Sequence, residues 1–127
     1  MTLDSLVRNL WQDMSSQNFD GLKKYFHRNA IIRWNNTNEE FTVDNFIRAN
    51  SEYPGNWKID VIRLEQIGDL VITVAYVSSE DDISLYVTSF FEFEDGLIRQ
   101  LDEYWGDNGA PPQWRQDLKL STHSSLK

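Results

Sequence analysis

The stretch FEFEDGLIRQLDEYWGDNGAPPQWR, Phe91 to Arg115, decides how the chain is read. Asp95-Gly96 stands between two runs of alternating character. That is the mark of a tight hairpin, because its turn needs positive φ and Asp-Gly tolerates it. The run before it, ISLYVTSFFEFE, and the run after it, LIRQLDEYW, are therefore read as antiparallel partners. Successive side chains of a strand point to opposite faces, so Asp102 and Glu103 must part. Leu101, Glu103 and Trp105 make the more apolar face, which favours Glu103 as the inward carboxylate. Gln100, Asp102 and Tyr104 then face outward or into a subunit interface. Gly106 to Pro112 turns the chain, and two prolines keep it extended. Trp114 is expected to lie back on the domain as a packing clasp or to form part of a dimer contact, with Arg115 pairing with an acid or stacking on a ring.

Working back from this hairpin, two more strands appear. DLVITVAYVSSE is apolar on both faces, as a central strand is. Gly68-Asp69 joins it to WKIDVIRLEQIG, where Trp57, Ile59, Val61 and Arg63 share one face and Lys58, Asp60, Ile62 and Leu64 the other. Further upstream the period changes to that of helices. Leu3, Leu6, Val7, Leu10, Trp11 and Met14 follow the spacing of an amphipathic helix over residues 3–14. Thr2 is its N-cap, able to accept from an amide of the first turn. FDGLKKYF, residues 19–26, is a second short helix with Asn18 as a cap. AIIRW is a short strand, reached through a turn that carries His27. NNTNEE is a polar turn. TVDNFIRANSEY is a third helix capped by Thr42, with Val43, Phe46, Ile47 and Asn50 on one face. Pro54-Gly55 ends it. The tail STHSSLK is polar. The order α-α-β-α-β-β-β-β describes one α+β domain over residues 1–127.

Composition sets limits on function. Five Trp, five Tyr and seven Phe in 127 residues mean that large rings fill the interior or line a hollow. Twelve basic against twenty acidic residues give a formal charge of −8. A partner such as nucleic acid or an anionic membrane needs a basic face, so neither is expected. The chain has no cysteine, hence no disulfide framework, thiol nucleophile or Cys-based metal site. Two isolated histidines make no metal constellation. There is no Gly-rich phosphate loop and no G-x-S-x-G elbow. The start MTLDSLVRNL lacks the features of a signal peptide, and no apolar run approaches the roughly 20 residues of a membrane span. A cytoplasmic protein is the expectation.

Two segments carry a family likeness. NFDGLKKYFHRNAIIRW resembles the second helix and first strand of the nuclear transport factor 2-like superfamily. The Phe91–Arg115 stretch resembles the final hairpin of its SnoaL-like members. The superfamily includes ketosteroid isomerases, SnoaL-type polyketide cyclases, limonene epoxide hydrolase and scytalone dehydratase. The resemblance implies a cone, with three N-terminal helices packed on a curved, mainly antiparallel sheet around one apolar hollow. It implies a homodimer formed through the sheet, and chemistry done by side chains and water with no cofactor. In such a pocket burial raises a carboxyl pKa, so that the group can act as acid or base near neutrality. Glu103 and Asp102 are the candidates for that role here. Trp34, Asn50, Tyr53, Trp57, Tyr76, Phe90 and Trp105 are the candidate walls for an apolar cyclic small molecule. The first helix has Trp11 and no Tyr, so the Tyr-and-two-Asp set of ketosteroid isomerases has no clear counterpart. The competing expectation is that rings fill the hollow and the chain is a non-catalytic dimerisation or interaction module. Its docking face would be Tyr86, Thr88, Phe90 and Glu92.

Overall fold

A computed structural model describes residues 2–123; residue 1 and residues 124–127, the end of the polar tail, lie outside the described residues. Helix α1, Leu3–Ser15, buries Leu6, Val7, Leu10, Trp11 and Met14 on the stripe read from the sequence. Its cap is also as read, since Thr2 Oγ1 accepts from the Ser5 amide at 3.2 Å. The second helix is a tight 3-10 segment, Phe19–Tyr25, which buries Leu22 and Tyr25. The Tyr25 hydroxyl donates to Asp13 Oδ2 at 2.5 Å and so ties this segment to α1. Burial, reinforced by the Asp13 carboxylate, pushes the Tyr25 pKa up to about 12. Helix α2, Val43–Ser51, is capped by Thr42 Oγ1, which accepts from the Asn45 amide at 3.2 Å.

Six strands form one sheet: β1 Phe26–Trp34, β2 Glu39–Phe41, β3 Trp57–Ile67, β4 Leu70–Ser79, β5 Ser84–Glu94 and β6 Leu97–Asp107. Their order is β2-β1-β6-β5-β4-β3. The β1–β6 pair is parallel and all others are antiparallel. The expected hairpin at Asp95-Gly96 is present, with φ of +53° and +80° at its two residues. Val71, Thr73, Ala75 and Val77 on β4, with Val87, Ser89, Phe91 and Phe93 on β5, are buried beneath the helices. Trp11 links helix to sheet. Its indole N–H donates to Thr73 Oγ1 at 3.1 Å, and its ring meets Phe91 edge-on at 6.2 Å. Register shifts in β1, β3 and at the β5–β6 pair bend the sheet, as an extra residue in one strand does. The result is the α+β cone of the nuclear transport factor 2-like fold.

Five details differ from the sequence reading. The strand read as AIIRW begins at Phe26, so His27 lies on β1 and contacts the Glu94 carbonyl oxygen instead of sitting in a turn. The polar turn NNTNEE contains the start of an extra strand, β2, too short and polar to show an alternation. In β3 the register shift between Val61 and Arg63 exchanges faces, so Leu64 packs on the core and Arg63 is exposed. A short helix, α3 Gln113–Asp117, follows the prolines. On it Trp114 is 60% exposed, with Arg115 held over its ring at 5.8 Å, so Trp114 is not a clasp on this domain. The spacing after Pro112 suits a helical turn, and that turn carries the ring away from the core.

Candidate functional site

A cavity of about 500 Å3 opens between α1, α2 and the concave face of the sheet. Its walls come from distant parts of the sequence. Trp11 and Met14 arrive on α1, Trp34 on β1, Trp57 on β3 and Trp105 on β6. Each ring has a local reason for its place. In the turn Tyr53-Pro54-Gly55, Gly55 has φ of +106°, which an L side chain rarely adopts, and a Cβ there would meet Trp57 Nε1 at 3.2 Å. The Trp57 indole instead donates to the Pro54 carbonyl oxygen at 3.0 Å, and Tyr53 packs on its ring at 5.2 Å. Asn36 pins the β1–β2 turn to β6 through both ends of its amide. Its Nδ2 donates to the Trp105 carbonyl at 2.9 Å, and its Oδ1 accepts from the Trp105 amide at 2.7 Å. Trp34 and Trp105 therefore meet edge-on, with centroids 5.7 Å apart and an 80° angle between planes.

Behind this pair lies Glu103. It points to the inner face and is only 2% exposed. The Trp34 indole N–H donates to Oε1 at 3.0 Å, and the Ser89 hydroxyl donates to Oε2 at 2.6 Å. Burial raises the Glu103 pKa to about 7, and the two hydrogen bonds, which favour the charged form, limit the rise. Trp34 lines the cavity and Glu103 does not. The indole thus separates the carboxyl from the space a ligand would fill. The Trp105 indole N–H is buried and has no hydrogen-bond partner among the described residues. Such a donor costs about 1–3 kcal/mol when nothing accepts from it.

The structure divides the residues singled out from sequence. Trp34, Asn50, Tyr53, Trp57 and Trp105 all line the cavity. Asn50 is held there by its own helix, donating from Nδ2 to the Phe46 carbonyl at 2.8 Å. Asp102, Tyr76 and Phe90 lie on the opposite face of the sheet, so none of them reaches the cavity. Asp102 is held there by Gln100 Nε2 at 2.7 Å, Asn35 Nδ2 at 3.3 Å and Arg33 at 3.8 Å. Tyr76 pairs with Tyr86 at 5.3 Å, and Phe90 with Tyr104 at 5.9 Å. The reason is the two-residue period: Thr73, Ala75 and Val77 take the inner positions of β4, and Ser89 and Phe91 those of β5. Sequence reading missed Ser89, the partner of Glu103, and Trp11 as a cavity wall. A signal for Ser89 existed, since it is the small polar residue at an inward position between Val87 and Phe91. Among the described residues, no group of three or more His, Asp or Glu side chains could hold a metal, and no helix is long and apolar enough to cross a membrane.

This architecture recurs in solved structures. A candidate ketosteroid isomerase from Kribbella flavida superposes with a TM-score of 0.83 at 23% identity, covering 98% of this chain and 92% of that one. An NTF-2 like protein of unknown function from Burkholderia xenovorans gives 0.80 at 22% identity, covering 97% and 95%. A candidate SnoaL-like polyketide cyclase from Shewanella putrefaciens gives 0.68 at 12% identity, covering 84% and 81%. No protein-family model matches the sequence, and no curated protein matches it significantly. The chain is a protein of the nuclear transport factor 2-like fold. At these identities the likeness is one of fold, and fold alone does not define a reaction.

Proposed function

We propose that the chain is a small-molecule-binding protein that takes a flat, apolar cyclic ligand into the cavity walled by Trp11, Trp34, Trp57 and Trp105. The observation that carries this reading is the cavity itself. Rings that could have filled the cone instead stand around about 500 Å3 of space, a volume typical of ligand sites. Four indoles line that space and offer ring surface for stacking against a flat ligand. Intrinsic tryptophan fluorescence against steroid-like, terpenoid and polycyclic aromatic compounds tests the proposal. A saturable change at micromolar concentration is expected, and it should weaken at least tenfold in Trp57→Ala. A flat response across the panel, from a protein folded by circular dichroism, would overturn it.

Isomerase, cyclase or hydrolase chemistry on such a ligand would need an acid or base in reach. Glu103 is the carboxyl whose raised pKa suits that work. The Trp34 indole stands in front of it, so proton transfer requires that ring to swing aside. In the arrangement described, Glu103 orients Trp34, and binding is the activity the geometry supports best.

A second reading concerns the opposite face. The Tyr76–Tyr86 and Phe90–Tyr104 pairs place four aromatic rings on the outer side of the sheet, with Tyr104 48% exposed. This favours a homodimer through that face. Sedimentation equilibrium should give twice the 14.9 kDa chain mass, and Tyr86→Lys should shift it to monomer. A wild-type monomer at tens of micromolar would refute the dimer.

A further inference from the structure

The ligand class of the cavity can be narrowed by its charges. Among the nineteen described residues that line it there is no Lys, Arg or His, while two carboxylates, Glu39 and Asp107, stand at its mouth. Both are exposed. None of the ion pairs among the described residues uses either one. Elsewhere on the surface, acids of the sheet do find cations, as in Arg33–Glu40 at 3.1 Å and Arg99–Glu92 at 3.3 Å. Glu39 accepts from the Thr37 hydroxyl at 2.6 Å, a neutral partner.

The sheet register ties these carboxylates to the two indoles that meet edge-on. Glu39 on β2 is the direct partner of Trp34 on β1, and paired residues hold their Cβ atoms roughly 5 Å apart. Asp107 is two residues beyond Trp105 on β6, so it shares that ring's face about 7 Å further along the strand. The corner formed by Trp34 and Trp105 thus has a carboxylate beside each ring. Indole faces attract cations through their quadrupole, Trp most strongly among aromatic side chains. Carboxylates placed around aromatic walls add a field of the same sense, and the chain's formal charge of −8 draws cations toward it.

We propose that the ligand carries a positive charge: an organic ammonium on an apolar cyclic body, its cationic end against the Trp34–Trp105 corner between Glu39 and Asp107. This rests on the binding reading above and adds the charge of the ligand to it. The cyclic body occupies the deeper space beside Trp11 and Met14.

Benzyltrimethylammonium and neopentylbenzene, its neutral isostere with carbon in place of nitrogen, make the test. Both are titrated against the full chain by tryptophan fluorescence at low ionic strength. The charged member should bind at least tenfold more tightly. In the Glu39→Gln/Asp107→Asn double variant the ratio of the two affinities should fall at least threefold. Because a ratio is read on one protein, a general loss of folding cannot imitate that fall. Equal or tighter binding of neopentylbenzene overturns the charge assignment and leaves the apolar cavity reading in place. A tenfold preference that survives the double variant overturns the role of the two carboxylates. Failure of both compounds, where other members of the apolar panel bind, also overturns the cation proposal. Failure of every compound overturns the binding reading with it.

Discussion

Phe46→Ala is expected to lower stability by about 3–5 kcal/mol, the usual cost of emptying a buried phenylalanine site. Phe46 is 1% exposed on α2 and meets Phe26 at 5.9 Å and Trp34 at 6.3 Å. Helix α2 has only nine residues, too few to persist on its own propensity, since isolated helices shorter than about 12–15 residues are marginal in water. Its place over β1 therefore depends on its apolar contacts, chiefly Val43 and Phe46, the two residues it buries. The surrounding rings are large and held by their own hydrogen bonds, so they cannot collapse fully into the space left. Urea unfolding followed by circular dichroism measures the loss. A change below about 1 kcal/mol would mean that Phe46 does not hold α2.

The second large effect is a dependence on pH that Glu103→Gln should remove. Burial raises the Glu103 pKa from the usual 4.5 to about 7. Between these values the unfolded chain has lost the proton while the folded chain keeps it, so the folded state binds more protons. Stability from this group is therefore greatest below pH 4.5, declines as pH rises through 7, and is level above that. The difference of about two to three pH units corresponds to about 3 kcal/mol for this fully buried side chain. In the Gln variant the amide carbonyl can still accept from the Trp34 indole, and nothing ionises. The stability difference, Gln variant minus wild type, should rise by about 3 kcal/mol from pH 4.5 to 8. Parallel urea midpoints for both proteins across that range would show that Glu103 titrates like a solvated carboxyl.

Much of the fold can be read along the chain because its signals are local. The stripe Leu6, Val7, Leu10, Trp11 and Met14, the caps Thr2 and Thr42, and the Asp95-Gly96 hairpin all act within a few residues. Strand alternation also assigns Glu103 to the inner face. The same rule, carried along β4 and β5 from their buried positions, would have set Tyr76 and Phe90 outward. What hid their placement was that both faces of those strands are rich in apolar and aromatic residues, so the pattern alone does not say which face is covered. Strand β2 was hidden because three residues, Glu39 to Phe41, cannot show a period. The bulge after Val61 was hidden because an extra residue leaves no mark in side-chain type.

The candidate site divides along the same line. An α+β domain rich in rings, acidic and without cysteine, with one carboxylate of the Asp102-Glu103 pair turned inward, is legible in the residues alone. These follow from composition and from periods of two and 3.6 residues. Long-range packing is what brings Trp34, 69 residues away, over Glu103, sets Ser89 to donate to its other oxygen, and occupies Asp102 on the far face with Arg33, Asn35 and Gln100. The parallel pairing of β1 with β6 and the curvature from three register shifts bring those residues together. Such contacts depend on which strands become neighbours, a choice made by the burial of the whole core and not by any segment within it.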